Sequence, residues 1–310
     1  TRSFHVTGVQ TCALPLLATA APISNETYVS LSATFAQRSD PRFVLAFSIP
    51  TNSPGMKILC REPVSLWNGS YGHPLGVPYD EQDSMLFFEN VLVPWDRVFM
   101  LYESAPLQRN FSAGINFTEW GNLCRIHERM KVMTTVATMI AEASGVLDYR
   151  EVAAKIGEMV TYTEMWLHAM DGVEHGAHMG EGGVMSLGSM TGMNIYFAQT
   201  SARMVQILRE VSGSGLIMQP SENDLASPEL RPYLDRYMRG KGVGAEYKSR
   251  LYRLAHDLAV SSSGMRQEVY EYWHGGDPNR NRINLLRGFD QDETRARIED
   301  LVSRPLPHGE

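Results

Sequence analysis

Three histidines stand close together in the middle of the chain: His168, His175 and His178. Imidazole is a common ligand for zinc, copper and iron, so this cluster is the first candidate for metal chemistry. The spacing argues against such a site, because Gly172 and Gly176 interrupt the predicted helix and neither His-Glu-x-x-His nor His-x-x-Glu-His occurs. We therefore expect ordinary histidines in a solvated loop and no bound metal.

Two turns rich in glycine and serine have groups that suit a phosphate or a flavin. Residues 211–217 read VSGSGLI, where the glycine backbone could approach a phosphate or an adenine, although a helix C-cap followed by a turn explains them as well. Residues 261–266 read SSSGMR and offer hydroxyls, amides and a guanidinium together. A helix kink is the structural alternative for this second turn.

Glu271 is the candidate general base, since it follows Tyr270 and precedes the aromatic pair Tyr272 and Trp273. A carboxylate in apolar surroundings has a raised pKa and can remove a proton. An ion pair with an arginine is the alternative. Arginines near it in the sequence are Arg266, Arg280 and Arg282. No Gly-x-Ser-x-Gly segment is present in the sequence, so hydrolase chemistry has no support.

The elements that must position these groups change type along the chain. Short runs of β-branched and aromatic residues predict strands over 27–34, 42–49, 56–60, 85–88 and 91–93. After residue 104 the apolar spacing becomes helical, with one stripe through 126–140 that should end at Gly145. Further helices are predicted near 148–170, 194–211, 245–272 and 292–303. Four long helices of similar length suggest a bundle.

Composition describes an ordinary globular protein. The 310 residues are 43% hydrophobic and 20% charged, which suits about two domains. A net charge of −7 argues against a nucleic-acid partner, and the lack of a long apolar run argues against a membrane span. A cytoplasmic location follows as the default expectation. The three cysteines are too few and scattered for a disulfide framework.

The chain divides into three parts. Residues 6–15, VTGVQTCALP, resemble the translation of a sequencing-adapter primer, so we set aside 1–15 as a scar of that kind. The strand-rich part is 16–104 and the helical part is 105–310. Residues 79–98, YDEQDSMLFFENVLVPWDRV, form the seam between them.

Several segments resemble one family in matching order and spacing. They are the block 79–98, Gly215-Leu216-Ile217 with Pro220-Ser221, the segment 233–240, and Gly264-Met265-Arg266 with Tyr270-Glu271. These segments are similar to the oxygenase component of 4-hydroxyphenylacetate 3-monooxygenase. The resemblance implies an α+β, acyl-CoA dehydrogenase-like fold, with a middle β-barrel domain, a C-terminal four-helix bundle and the family's N-terminal helical domain missing.

The resemblance also implies a flavin site. Thr19 resembles the barrel threonine that meets FAD, and Ser263, Gly264, Met265 and Arg266 resemble a C-terminal loop that holds it. Ser30 and Ser32 fall where the barrel contacts substrate. The catalytic groups of the family are expected upstream of this fragment, so none is assigned here.

The implied activity is ortho hydroxylation of a phenol. FADH2 supplied by a separate flavin reductase would react with molecular oxygen to give a flavin C4a-hydroperoxide, in a cytoplasmic homotetramer. The phenol is unspecified, and both degradative and biosynthetic roles stay open.

Other hypotheses share the fold. One is an acyl-CoA dehydrogenase with Glu271 as base, although that family has Gly-Thr where this chain has Tyr272-Trp273. Another is a 4-hydroxybutyryl-CoA dehydratase-like enzyme, although Phe117 stands where its cluster would need a histidine seven residues before Cys124. A third is an inactive flavin-binding fragment.

Overall fold

The computed structural model describes residues 3–6, 18–30, 40–41, 44–66, 68–180, 183, 185–188 and 190–304. The chain before residue 104 contains β1 (Ser3–Val6), which lies within the segment 1–15 set aside above. It also contains β2 (Glu26–Ser30), β3 (Leu45–Pro50), β4 (Met56–Cys60), β5 (Ser84–Phe88), β6 (Val91–Pro94) and β7 (Val98–Leu101). All the pairings within it are antiparallel: β2 and β7 flank β3, β4 pairs with β5, and β1 pairs with β6. Strands β2 to β6 overlap the five predicted segments, of which residues 31–34 and 42–43 lie outside the described residues. Strands β1 and β7 are additions that the sequence pattern did not indicate.

The small sheets share an apolar core. Their buried residues include Val29, Phe47, Ile49, Phe88, Val91 and Val93. Phe47 and Phe88 meet edge to face with ring centroids 5.9 Å apart, so side chains rather than backbone ladders join the two sheets. For this reason the described strands do not close into the continuous barrel that was expected, although the α+β class is confirmed.

The helical part begins at once after β7. It contains α1 (Ser104–Ser144), α2 (Arg150–His175), α3 (Thr191–Ser212), α4 (Glu222–Ala226), α5 (Arg231–Tyr237), α6 (Ala245–Ala259), α7 (Ser262–Trp273), α8 (Pro278–Gly288) and α9 (Asp292–Ser303), with the short strands β8 (His178–Met179) and β9 (Met185–Ser186) after α2. Helix α1 packs against α2, α3 and α6, which together form the bundle. Its core includes Ile126, Met130, Met133, Met159, Trp166, Phe197 and Met204.

Two predicted helix boundaries are wrong for identifiable reasons. Helix α2 continues through Gly172 and ends at His175, because its buried residues Met170 and Val173 hold the last turn against the core. The single helix expected over 245–272 is two helices, since the chain turns at Val260 and Ser261. The Ser261 hydroxyl caps α7 by accepting from the Gly264 amide, so a new helix starts there.

Other boundaries agree with the sequence. Gly145 ends α1 with a φ of 71°, a left-handed conformation that favours glycine. Gly213 ends α3, and the next residues form a short 3-10 helix, which confirms the structural interpretation of 211–217. Helix α8 was not predicted. It begins at Pro278 with the Asp277 side chain accepting from the Asn279 amide.

Candidate functional site

A groove of about 370 Å³ opens on the strand-rich part beside β2. Its lining comes from Ala18, Thr19, Ala20, Ala21, Ser24, Glu26, Thr27, Tyr28, Val29, Ser30 and Leu86. Two residues predicted from the sequence, Thr19 and Ser30, therefore lie on one surface. Ser32 lies outside the described residues.

Thr19 is placed in the groove by backbone pairing with the start of β5. The amides of Ala18 and Ala20 donate to the carbonyls of Ser84 and Gln82, at 2.8 and 2.9 Å. This pairing sets Thr19 opposite Asp83, and the Thr19 hydroxyl donates to Asp83 Oδ1 at 3.1 Å. The contact links the groove to an acidic turn that precedes β5.

Asp83 also binds Arg266, which reaches it from the first turn of α7. The guanidinium donates from Nε to Oδ2 at 2.8 Å and from Nη2 to Oδ1 at 2.6 Å. Arg61 adds a longer bond to Oδ2, at 3.3 Å. The hydrogen bonds from Arg266 hold the pKa of Asp83 below its usual range. Thr19 and Arg266, which are far apart in the sequence, thus share one carboxylate.

The other predicted residues of α7 have different surroundings. Gly264 lies so close to the last turn of α6 that a Cβ would stand 2.6 Å from the Asp257 carbonyl oxygen. Ser263 packs against Gly76 in the loop between β4 and β5, where a Cβ on Gly76 would stand 2.9 Å from that of Ser263. Met265 is half exposed and accepts at sulfur from Arg209. These four residues form a helical turn, so the loop expected at 263–266 is wrong.

Asp257 fastens the loop that runs from β4 to β5 onto helix α6. Its buried carboxylate accepts from the amides of Leu75 and Gly76 at Oδ2, at 2.7 and 2.6 Å, and faces His73 Nδ1 at 3.1 Å from Oδ1. The Tyr71 hydroxyl adds a 2.8 Å hydrogen bond to the Ser249 hydroxyl. This docked loop leads directly into the acidic turn that carries Asp83. The helices therefore help to position the groove.

Glu271 is not the free base that its apolar neighbours suggested. Both of its carboxylate oxygens bind Arg125 of α1, with Nη2 to Oε2 at 2.9 Å, and Gln267 donates to Oε1 at 2.7 Å. Burial works to raise the pKa of Glu271, but the hydrogen bonds and charge of Arg125 outweigh it and lower the pKa. The arginine that pairs with Glu271 comes from another helix, not from the candidates nearby in sequence.

The histidines do not form a metal site in the part of the chain that is described. There, no group of three or more histidine, cysteine, aspartate or glutamate side chains is arranged to hold a metal ion. His175 and His178 instead contact the backbone carbonyls of Asp171 and Gly176.

Among the described residues, no helix is both long enough and apolar enough to cross a bilayer.

Two family models cover most of the chain. Residues 9–100 match the N-terminal model of 4-hydroxyphenylacetate 3-hydroxylase, and residues 108–303 match its C-terminal model. The chain belongs to the 4-hydroxyphenylacetate 3-hydroxylase family. The boundaries 1–15, 16–104 and 105–310 remain predictions.

Two similar proteins are named as 4-hydroxyphenylacetate 3-monooxygenases, in agreement with the family models. The 4-hydroxyphenylacetate 3-monooxygenase oxygenase component of Thermus thermophilus is 30% identical over 92% of this chain and 60% of its own length. A probable 4-hydroxyphenylacetate 3-monooxygenase of Bacillus subtilis is 30% identical over 94% of this chain and 61% of its own length. The chain thus spans about three fifths of the relatives it matches.

Solved structures extend the likeness to three dimensions. The oxygenase component of 4-hydroxyphenylacetate 3-monooxygenase, in complex with FAD and 4-hydroxyphenylacetate, matches with a TM-score of 0.85 and 29% identity over 92% of this chain and 60% of that one. A glutaryl-coenzyme A dehydrogenase shares the fold alone, at a TM-score of 0.51 and 14% identity over 92% of this chain and 57% of that one. The acyl-CoA dehydrogenase-like fold is therefore confirmed.

Sequence reasoning missed Asp83 and Asp257, which organise the site in this member of the 4-hydroxyphenylacetate 3-hydroxylase family. The acidic run Asp80-Glu81-Gln82-Asp83 was a signal for the first, because so many carboxylates in one turn need arginine partners. No sequence signal marks Asp257, whose partners lie in a loop nearly two hundred positions earlier.

Proposed function

We propose that this chain carries part of an FADH2-dependent phenol hydroxylase of the two-component type. The observation that supports this most is the meeting of Thr19 and Arg266 at Asp83 beside the groove, in a chain of this family. Residues implied separately as flavin contacts thus belong to one hydrogen-bonded unit. The substrate class is a small phenol, which enters with molecular oxygen.

The groove fits part of the proposed cofactor. A volume of about 370 Å³ lies at the lower end of the range of roughly 300–1,000 Å³ for small-molecule sites. It therefore has room for a ring system, and the remainder of a dinucleotide would extend beyond it. The small side chains of Ala18, Ala20 and Ala21 leave space for a flat ring, and Thr19 offers a hydroxyl in the same wall.

Each lining group has a physical task in this proposal. When bound, reduced FAD supplies the oxygen-activating chemistry, which no amino-acid side chain provides. Thr19 would hold the ring, and Arg266 would support Thr19 through Asp83. Ser263, Gly264 and Met265 lie next to Arg266 in the first turn of α7. Val29 and Leu86 provide apolar wall that excludes water, and Ser30 offers a hydroxyl at the end of β2 for a phenolic substrate.

The remaining partners are also proposals. A separate flavin reductase would deliver FADH2, and catalytic groups outside the described residues remain a prediction, as does the cytoplasmic location. A homotetramer is supported by helix α9, whose apolar residues Ile298, Leu301 and Val302 are exposed in the described chain. A helix of this length is marginal in water without packing, so a second copy would stabilise it.

The acyl-CoA dehydrogenase alternative lacks its base. Glu271 is buried, ionised and engaged by Arg125, so it cannot accept a proton from a substrate without breaking that pair. The dehydratase alternative lacks cluster geometry among the described residues, where Cys124 is an exposed free cysteine on α1. The inactive-fragment alternative becomes an outcome of the experiment below.

The test is anaerobic titration of the chain with FADH2, followed by oxygen and a panel of phenols that includes 4-hydroxyphenylacetate. We expect the chain to bind the flavin. We expect a catechol product, detected by mass spectrometry, from the protein that also contains the catalytic groups predicted upstream of this fragment. The Thr19→Val variant should weaken flavin binding, whereas Glu128→Gln, an exposed change on α1, should not. Flavin binding with release of peroxide alone would support the inactive fragment, and no flavin binding would refute the proposal.

A further inference from the structure

We propose that Asp83 is a positioning residue that makes Thr19 a hydrogen-bond acceptor toward the occupant of the groove, and thereby favours reduced over oxidised FAD. This inference rests on the proposed function, since it concerns how the chain meets that cofactor. It assigns a role to a carboxylate that lines no part of the groove itself.

The direction of the Thr19 hydrogen bond is determined by charge. The Arg266 hydrogen bonds lower the pKa of Asp83, so its carboxylate is ionised at neutral pH and can only accept. The Thr19 hydroxyl must therefore donate its single proton to Asp83 Oδ1. The oxygen of Thr19 then has only lone pairs left for the groove.

An acceptor in this position discriminates between the two flavin states. Oxidised flavin has ring nitrogens without hydrogen that can only accept, and reduction by two electrons places hydrogen on the ring. A hydroxyl whose proton is held elsewhere can accept a hydrogen bond from a ring N–H of reduced flavin. Against oxidised flavin the same oxygen faces a nitrogen lone pair, so no hydrogen bond forms. Thr19 in this state suits FADH2, the form that a separate reductase would deliver.

Replacing Asp83 by asparagine should weaken this preference. The amide nitrogen can stand at the Oδ1 position, where it opposes one nitrogen of Arg266, or at the Oδ2 position, where it opposes both Arg266 and Arg61. The first orientation leaves fewer opposed donors, so the amide should donate to Thr19. The Thr19 proton is then free to turn toward the groove.

The experiment compares dissociation constants of FAD and dithionite-reduced FADH2, measured anaerobically on the full chain. We expect the parent chain to bind FADH2 more tightly, and Asp83→Asn to shrink the ratio of the two constants about tenfold, which corresponds to one neutral hydrogen bond of roughly 1.4 kcal/mol. The midpoint potential of the flavin bound to Asp83→Asn should fall relative to that of the parent complex by about 30 mV for each tenfold decrease in this ratio.

The matched control is Glu81→Gln, which removes another carboxylate partner of Arg266, at 2.8 Å, without touching Thr19. If Asp83 has only a structural role, binding of FAD and of FADH2 should weaken equally in both variants, and the ratio of the two dissociation constants should stay unchanged. That result would overturn the inference while leaving the proposed function intact. If the parent chain binds neither form, both proposals are wrong.

Thr19→Val provides a second route if Asp83→Asn folds poorly. Removing the hydroxyl should lower the preference for FADH2 by a similar factor, because valine keeps the shape but accepts no hydrogen bond. Adding Asp83→Asn to Thr19→Val should then change the ratio no further, since Asp83 acts through that hydroxyl. An additional change in the double variant would contradict the inference.

Discussion

Removing the Asp257 carboxylate should detach the loop between β4 and β5 from helix α6. The carboxylate is fully buried, and the amides of Leu75 and Gly76 both donate to its Oδ2 atom. In Asp257→Ala these two donors lose their partner inside the protein. We expect the loop to separate locally before the bundle unfolds, because the apolar core of the helices does not depend on it.

The expected magnitude follows from counting these donors. A buried donor left without a partner costs about 1–3 kcal/mol, so two such donors predict a loss of roughly 2–6 kcal/mol in the free energy of unfolding. Asp257→Asn retains a neutral oxygen that can stand at the Oδ2 position. Since charge-assisted hydrogen bonds are about twice as strong as neutral ones, this variant should lose about 1 kcal/mol.

Urea denaturation and amide hydrogen exchange measure the two effects. The amides of Leu75 and Gly76 should exchange faster in Asp257→Ala than in Asp257→Asn. Asp235→Ala is the matched control, because Asp235 forms an exposed ion pair with Arg231 on α5 and should contribute about 0–1 kcal/mol. Equal losses in the alanine and asparagine variants, or unchanged exchange at both amides, would refute this account of the loop.

Two further carboxylates give sharp expectations. Hydrogen bonds from Arg203 lower the pKa of Glu158 to about 2, so its stabilising effect is present above the ordinary value of 4.5 and fades as the pH falls toward 2. The difference in melting temperature between the parent and Glu158→Gln should therefore shrink between pH 6 and pH 3, and a constant difference would contradict this. Glu271→Gln leaves Arg125 and Arg129 without their buried counter-charge and should cost about 3–5 kcal/mol in chemical denaturation, whereas a loss below 1 kcal/mol would show that the pair is dispensable.

The local sequence pattern predicted most helices and strands, because the residues that start and end them lie within one or two turns of each boundary. The strand Met56–Cys60 and the helix Asp292–Ser303 have the predicted ends. Gly145 ended its helix as expected, since only a residue without Cβ enters the left-handed region cheaply.

The two failures, at Gly172 and Ser261, have different causes. Helix α2 continues past Gly172 because Met170 and Val173 are buried in its last turn. The break at Ser261 is local, since its hydroxyl caps α7 by accepting from the Gly264 amide.

The sequence predicted individual site residues but not the contacts between them. Thr19, Ser30 and Arg266 were selected by resemblance, and the structure places the first two on one groove and the third behind it. Glu271 was weighed as a base because its neighbours in sequence are aromatic. Its true partner, Arg125, is 146 positions away, so no local pattern could identify it.

The sequence by itself determined the family, the change from strands to helices and the residue types available to a flavin. These properties depend on local spacing and on motifs that are read in order along the chain. Only the tertiary structure decided which charges meet. Asp83 joins Thr19 to Arg266, and Asp257 holds the loop that leads to it. Such contacts depend on distance in space, and hydrogen bonds form or fail within a few tenths of an ångström, which sequence spacing does not specify.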